Sequence, residues 1–221
     1  MMEKLKIDIV SDVVCPWCVI GFKNLQKAIN QMEDRVEFEV EWKPYELHPE
    51  IPENGYDKKL YMQQKFGDLS GRSSPYTQIT EIGKTLGFDF NFSKSERIPN
   101  TFNAHRLIWK AKEYGVQTPI SEALFKAYFT DGIDIGSNEE LLKIATAEGM
   151  EEKSTRAFLN SKEGGQETAD EEMSFIEKSI GAVPTYFINE KYIIQGGQEP
   201  ETFVSFLNKI LEKENRNEAA V

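Results

Sequence analysis

Hydrophobic and polar residues alternate near the start of the chain, and the apolar spacing then becomes helical. In residues 4–10, Leu5, Ile7 and Ile9 recur at every second position, which predicts a β-strand. From Pro16 onward the apolar spacing favours a helix, and proline suits a first turn because that turn needs no backbone N–H there. Alternation returns in VEFEVEWKPY, whose glutamates are expected to face away from the apolar side. This part of the chain therefore predicts the order β-α-β.

The middle of the chain shows successive helical patterns and no convincing strand between about residues 58 and 171. SPYTQITEIGKTLG is expected to end at Gly87 and NTFNAHRLIWKAKEYG at Gly115, while Ser137 and Glu140 have the spacing of a capping box. Strand character returns in VPTYFI and YIIQGG, which the turn NEK separates, so a hairpin is predicted. A final helix is expected from QEPETF onward.

These elements fall into two groups. Residues 1–57 and 172–213 together have the size of one compact domain, and residues 58–171 are predicted to form a helical domain inserted between them. A β-α-β unit followed by β-β-α is the element order of a thioredoxin fold. We therefore predict an α/β protein, a thioredoxin fold with a large all-helical insertion. Residues 214–221 are polar and are expected to be a disordered tail.

Composition narrows the classes of partner. The chain has 221 residues and a formal net charge of -11, which opposes nucleic-acid binding because contacts to phosphates depend on lysine and arginine. No apolar run approaches the ~20 residues of a membrane span. Charged residues interrupt the apolar start, so no signal peptide is predicted. We expect a cytoplasmic protein without nucleic-acid or membrane partners, whose oligomeric state the sequence leaves open.

The two cysteines of the chain lie in the sequence CPWC at the predicted start of the first helix. The spacing of Cys15 and Cys18 brings both side chains into one helical turn, close enough to form a disulfide. A disulfide that closes so small a loop contributes little to stability, whereas the helix dipole stabilises a thiolate at this end by ~0.3–1 kcal/mol. We therefore predict thiol-disulfide exchange, with Cys15 as the exposed attacking sulfur and Cys18 as the buried resolving thiol.

Two simpler interpretations of the cysteine pair are less favoured. A structural zinc site needs four ligands, and the only histidines, His48 and His105, lie in unrelated segments. An inert structural pair, or two reduced core thiols, is less typical of Cys-x-x-Cys beside a β-α-β pattern than a redox pair is. No metal and no bound cofactor are therefore expected.

Several motifs, in their order along the chain, resemble a known family. SDVVCPWC, WKPYELHP, NTFNAHRL and GAVPTYFINEKYIIQGGQ resemble the FrnE-type oxidoreductases of the DsbA-like branch of the thioredoxin superfamily, and the resemblance extends to about Lys213. These proteins are related to 2-hydroxychromene-2-carboxylate isomerases and kappa-class glutathione transferases. The resemblance implies a DsbA-like fold and a thiol-disulfide oxidoreductase whose substrate is a protein or small molecule that contains a thiol or disulfide.

The same resemblance keeps a second function open. In a glutathione-dependent isomerase or transferase acting on a small aromatic substrate, Cys15 would stand where relatives use a serine, and glutathione would be the cosubstrate rather than a redox partner. A third class, a partner protein that uses the cysteine pair as a redox switch without turnover, also stays open.

Further site residues follow from the resemblance. In this superfamily the proline after the insertion is cis and lies opposite the cysteines, which implies that Val183 and Pro184 lie beside the pair. The sequence pattern alone favours a trans proline at the start of a strand. Pro16 and Trp17, between the cysteines, are expected to support the site. The Trp17 ring is expected either to stack on the substrate or to cover the disulfide.

Acid–base partners are less clearly indicated. Relatives often carry a buried carboxylate six residues before the first cysteine, where this chain has Ile9. Asp12 is a candidate proton acceptor for Cys18, although an aspartate just before a helix is more often a cap or turn residue. His105 is a candidate for the cleft between the insertion and the sheet, with a structural role as the alternative. The pair also lacks the histidine that DsbA has between its cysteines, so a strong oxidant is not implied.

Overall fold

The computed structural model describes residues 2–66 and 76–218. Its strands are β1 (Glu3–Ser11), β2 (Val36–Pro44), β3 (Tyr56–Asp57), β4 (Arg97–Ile98), β5 (Thr185–Ile188) and β6 (Tyr192–Gln195). Its helices are α1 (Pro16–Asn30), α2 (Lys58–Phe66), α3 (Tyr76–Thr85), α4 (Phe102–Ala111), α5 (Gln117–Lys126), α6 (Asn138–Ala147), α7 (Glu152–Leu159), α8 (Gly165–Glu177) and α9 (Pro200–Glu218). None of these described helices combines the length and apolar character that a membrane crossing requires.

Four strands form one mixed sheet in the order β2-β1-β5-β6. β1 runs parallel to β2 and antiparallel to β5, and β5 and β6 form the predicted antiparallel hairpin. A parallel pair needs a crossover connection, and α1 supplies it between β1 and β2. The β-α-β and β-β-α units therefore confirm the predicted α/β thioredoxin fold.

Helices cover both faces of this sheet. On one face, α1 packs against α9, and Ile9, Tyr186 and Phe203 lie together in the main core. On the other face, Val10 packs with Phe187 and with Phe175 of α8. Successive residues of a strand point to opposite faces, so the neighbours Ile9 and Val10 are both buried but belong to different layers.

The helical segment, which is the part of the chain from β3 to α8, differs from the prediction at three points. β3 and β4, of two residues each, pair as an antiparallel ribbon, so a strand does lie between residues 58 and 171, too short to show alternation. The predicted boundary between residues 171 and 172 falls inside α8, because that helix packs on the sheet. Ser137 is the N-cap residue of α6 but makes no side-chain cap bond, and Glu140 pairs with Lys143 instead. The division of the chain into domains stays a prediction.

The carboxyl-terminal helix extends further than predicted. α9 continues to Glu218, so the expectation of a disordered tail is wrong for residues 214–218. Glu214 accepts a hydrogen bond from the Tyr192 hydroxyl at 2.6 Å, and Asn215 donates one to Glu3 at 2.6 Å. These contacts hold the polar last turns of the helix on the sheet. Residues 219–221, and residues 74–75 of the predicted SPYTQITEIGKTLG helix, lie outside the described residues.

One glutamate of β2 is buried instead of facing solvent. Glu41 is 8% exposed and accepts hydrogen bonds from Lys43 Nζ at 2.7 Å and Lys112 Nζ at 2.5 Å. Burial opposes ionisation of this carboxyl, but the two lysines outweigh it and lower the pKa of Glu41 to about 2. Paired charges therefore explain why the alternation of β2 is not a reliable guide to burial here.

Candidate active site

The cysteine pair lies where β1 ends and α1 begins. Cys15 is the N-cap residue of α1, and Pro16 occupies the first turn, as the sequence predicts. The Cys18 backbone N–H donates to the Cys15 carbonyl at 3.0 Å. Both residues are free thiols in this structure. The two cysteines of CPWC therefore lie together at the start of α1.

Both thiols are buried, which corrects one expectation. Cys15 is 4% exposed and Cys18 is 1% exposed, so the predicted contrast between an exposed and a buried sulfur is wrong. The reason is that the backbone of Val183 covers the first cysteine, with the Val183 carbonyl oxygen 3.7 Å from Cys15 Sγ. The Val183–Pro184 peptide bond is cis, and Pro184 is buried. The structure therefore brings together Cys15, Val183 and Pro184.

Cys18 has a strongly perturbed environment. Burial raises the pKa of the Cys18 thiol well above its ordinary value, and the neighbouring Cys15 raises it further. The Ser11 side chain and the Asp12 backbone N–H act in the opposite direction. Reduced Cys18 is therefore held as a protonated thiol, which suits a sulfur that reacts second.

Trp17 is exposed, unlike the two thiols on either side of it. Its side chain is the exposed member of the CPWC sequence, with 40% of the residue accessible, and Pro16 beside it is partly buried. An indole that is this accessible can stack on a bound partner. Contact between this ring and a substrate stays a prediction.

Asp12 holds the turn between β1 and α1. It is fully buried, and its carboxylate accepts hydrogen bonds from Val14 N at 3.2 Å and from Leu47 N at 2.7 Å. Its carbonyl accepts a hydrogen bond from Cys15 N at 3.1 Å. Cys18 interacts with the backbone N–H of Asp12. The carboxylate is thus engaged in the turn, as an aspartate before a helix often is, and these contacts give no support to a role as proton acceptor for Cys18.

His105 reaches Asp12 from α4 in the helical segment. Its Nε2 lies 3.5 Å from Asp12 Oδ1, at the long limit of a hydrogen bond, and the ring is buried. Two carboxylates that the sequence did not single out, Glu46 and Glu172, act electrostatically on this ring, and the backbone N–H of Glu46 donates to Glu172 Oε1 at 2.6 Å. Burial lowers the pKa of His105, but Asp12, Glu46 and Glu172 outweigh it and the pKa is raised. We call these four residues the Asp12 cluster.

Glu46 is the member of the Asp12 cluster with the largest perturbation. Burial raises its pKa to about 7; His105 opposes this rise, and the carboxylates of Glu172 and Asp12 add to it. Its Oε2 is buried without a hydrogen-bond partner in the described part of the chain. Within residues 2–66 and 76–218, no group of three or more histidine, cysteine, aspartate or glutamate side chains is arranged to hold a metal ion. The only sequence signal for Glu46 was its place in WKPYELHP, and Glu172 had none.

The free energy of unfolding is expected to fall as the pH rises from about 4.5 to about 7, because folding raises the pKa of Glu46. Such a carboxyl stabilises the fold below its unfolded pKa, and this stabilisation is lost as the pH rises through the folded pKa. The full shift is worth about 3 kcal/mol, which partial exposure reduces to about 1–2 kcal/mol. The raised pKa of His105 has the same sign, with its loss beginning above the unfolded value near 6.5.

Urea denaturation at pH 5 and pH 8 checks this expectation. Glu46→Gln should reduce the difference in stability between the two pH values, and Glu53→Gln, at an exposed glutamate, should leave it unchanged. Equal pH slopes for wild type and Glu46→Gln would contradict the assignment.

Comparisons with known proteins find sequence matches over most of the chain. The model of the DSBA-like thioredoxin domain family matches residues 6–208. The protein YwbO of Bacillus subtilis (strain 168) is 29% identical over 203 residues, which cover 89% of this chain and 92% of YwbO.

Solved structures show the same fold at low sequence identity. A probable DsbA oxidoreductase from Streptomyces coelicolor has a TM-score of 0.84 at 23% identity, covering 93% of this chain and 89% of its own. The cytosolic disulfide reductase DsbM from Pseudomonas aeruginosa, solved with GSH, has a TM-score of 0.66 at 14% identity, covering 94% of this chain and 99% of its own. A 2-hydroxychromene-2-carboxylate isomerase has a TM-score of 0.66 at 14% identity, covering 97% of this chain and 98% of its own.

The family match begins within β1, before the cysteines, and ends within α9, so it includes the cysteine pair, the cis proline and the whole helical segment. Because one family model spans nearly the entire chain, this protein belongs to the DSBA-like thioredoxin domain family.

Proposed function

We propose that this protein is a FrnE-type thiol-disulfide oxidoreductase that acts through Cys15 and Cys18. The observation that carries the proposal is the placement of both sulfurs in the first turn of α1, with the Val183 carbonyl 3.7 Å from Cys15 Sγ. Unpaired N–H groups at this end of the helix favour a thiolate. Pro16, Trp17 and Pro184 complete the site as supporting residues.

The proposed reaction proceeds by two exchanges. In the reducing direction, the Cys15 thiolate attacks a substrate disulfide, a bond forms between Cys15 and one substrate sulfur, and the other substrate sulfur leaves as a thiolate. Cys18 then releases its proton to solvent and attacks the Cys15 sulfur, which forms the Cys15–Cys18 disulfide and expels the second substrate thiolate. The substrate gains two electrons and the protein loses two. The reverse sequence oxidises a substrate dithiol.

We infer that the substrate is a protein or small molecule with a thiol or disulfide, and that the reaction takes place in the cytoplasm. The solved structure of cytosolic DsbM with GSH supports glutathione as a redox partner. The net charge of -11 argues against nucleic acid as a partner.

Equilibration of the pure protein with glutathione buffers of graded thiol-to-disulfide ratio tests the proposal, with turnover measured on insulin disulfides and on a reduced protein. A pair that titrates between dithiol and disulfide, with catalysis in one of the two directions, is the expected result. A pair that stays in one state across all buffers, without catalysis, would refute it.

A small cavity beside the cysteine pair favours a glutathione-dependent isomerase or transferase as the second candidate. The cavity, of about 120 Å³, is lined by Val14, Pro16, Lys58, Tyr128 and neighbouring aromatic residues. Lys58 Nζ donates to the Phe92 carbonyl at 2.6 Å, and burial lowers its pKa. Over the described ranges no carboxylate forms an ion pair with this lysine, so a carboxylate of a bound thiol such as glutathione would complement it. Turnover of a small aromatic substrate with glutathione, unaffected by Cys18→Ser, would support this candidate.

A further inference from the structure

Tyr186 places a hydroxyl group in the core beside the helix that carries Cys18. β5 pairs with β1 so that Tyr186 lies opposite Ile9, and directly opposed residues of antiparallel strands share a face. Tyr186 is fully buried, and its hydroxyl has no hydrogen-bond partner in the part of the chain that the structure describes. A buried donor without an acceptor destabilises the folded state. An acceptor that forms during the reaction would offset this cost.

The position of the hydroxyl is defined by Gly21. A Cβ atom added to Gly21 would lie 2.3 Å from the Tyr186 oxygen, so the hydroxyl lies directly against the helix backbone at this glycine. Gly21 follows Cys18 by three residues in α1, and residues three apart are neighbours on one side of a helix. The phenol therefore reaches α1 on the side of the resolving thiol.

The charges that act on this hydroxyl come from the cysteine pair. Burial raises the pKa of Tyr186 well above its ordinary value, and the sulfurs of Cys18 and Cys15 raise it further. Tyr186 is therefore a protonated donor throughout the neutral range, and an ionised sulfur is the acceptor that the fold places near it. The Cys15 side chain, the Ser11 side chain and the Asp12 backbone N–H also act on Cys18.

We propose that Tyr186 is a further catalytic residue for the exchange reaction, whose hydroxyl donates a hydrogen bond to Cys18 Sγ whenever that sulfur carries negative charge. This role rests on the proposed function of the cysteine pair. When Cys18 attacks the mixed disulfide, the hydroxyl stabilises its thiolate before the bond to Cys15 forms. In the reverse direction it stabilises Cys18 as the leaving thiolate.

A chromogenic aromatic disulfide separates the two steps. Attack by Cys15 on this reagent releases one coloured thiolate and leaves a mixed disulfide; attack by Cys18 on Cys15 then releases the second coloured thiolate and forms the intramolecular disulfide. Tyr186→Phe should slow the second release about tenfold at pH 7 and leave the first unchanged, since a hydrogen bond to a charged group is worth about one pKa unit or more. The rise of the second rate with pH should move to higher pH, which a change in packing alone would not produce.

Tyr192→Phe is the matched control, because the Tyr192 hydroxyl bonds to Glu214 of α9; both releases should keep their wild-type rates. A second release in Tyr186→Phe equal to wild type, or slowing of both releases by the same factor, would overturn the proposal. Should Tyr186→Phe fail to fold, Gly21→Ala, whose methyl group would displace the Tyr186 hydroxyl and also crowd Pro184, must move the pH dependence of the second release to higher pH relative to that of the first, or the proposal is wrong. Absence of the first release in wild type would refute the proposed function instead.

Discussion

Cys15→Ser is expected to reduce disulfide exchange to the uncatalysed background. A serine hydroxyl cannot form the mixed disulfide that starts both directions of the reaction. Because the chain contains only the two cysteines of CPWC, the one thiol left in this variant is Cys18, which burial keeps protonated. Turnover of insulin disulfides with a dithiol as reductant measures the loss.

Cys18→Ser is the comparison that separates the roles of the two sulfurs. This variant retains the attacking cysteine, so it should perform the first exchange and stop, with the substrate joined covalently to Cys15. Mass spectrometry under non-reducing conditions detects this adduct. Undiminished turnover in Cys15→Ser, or an adduct formed by Cys15→Ser but not by Cys18→Ser, would reverse the assignment. Full turnover in Cys18→Ser with glutathione and an aromatic substrate would favour the second candidate function.

Asp12→Ala is expected to destabilise the fold by about 3–5 kcal/mol, the usual cost of removing one partner of a buried charged pair. Two effects contribute. The backbone N–H groups of Val14 and Leu47 lose their acceptors, and the buried imidazole of His105 loses the carboxylate beside it. Chemical denaturation, followed with one probe in the sheet and one in the helical segment, measures the change in stability and shows whether the two parts unfold together.

Asp131→Ala is the control for this substitution. Asp131 pairs with one exposed lysine, Lys126, and exposed ion pairs contribute only about 0–1 kcal/mol. Asp12→Asn should fall between the two, since an amide oxygen still accepts a hydrogen bond from the backbone but carries no charge. A loss of less than about 1 kcal/mol in Asp12→Ala would contradict the structural role given to the carboxylate.

Local periodicity predicted the elements of the fold because strands and helices record their faces in nearby residues. β1, α1 and β2, and the β5–β6 hairpin, follow from alternation and helical spacing alone. Where long-range contacts decide the outcome, the sequence was a poorer guide. The last turns of α9 look too polar to pack, yet Glu214 and Asn215 hydrogen-bond to residues of the sheet.

The candidate site divides in the same way. The cysteine pair was evident from its spacing, and the cis proline from the family resemblance. The burial of Cys15 was not predictable, since it depends on Val183, which lies 168 residues away. Likewise Glu46 and Glu172 come together across 126 residues. Tyr186 lies in a predicted strand, and nothing in its neighbouring residues indicates that its hydroxyl lies near the cysteines.

The Asp12 cluster has a consequence for engineering this scaffold. Its members come from the end of β1, the loop after β2, α4 and α8, so the sheet and the helical segment share one set of buried charges. A chimera in which the helical segment of another protein replaced this one would lose His105 and Glu172 and leave Asp12 and Glu46 without their counterparts. We expect such a transplant into this chain to succeed only when Asp12 and Glu46 are exchanged together with the helices they face.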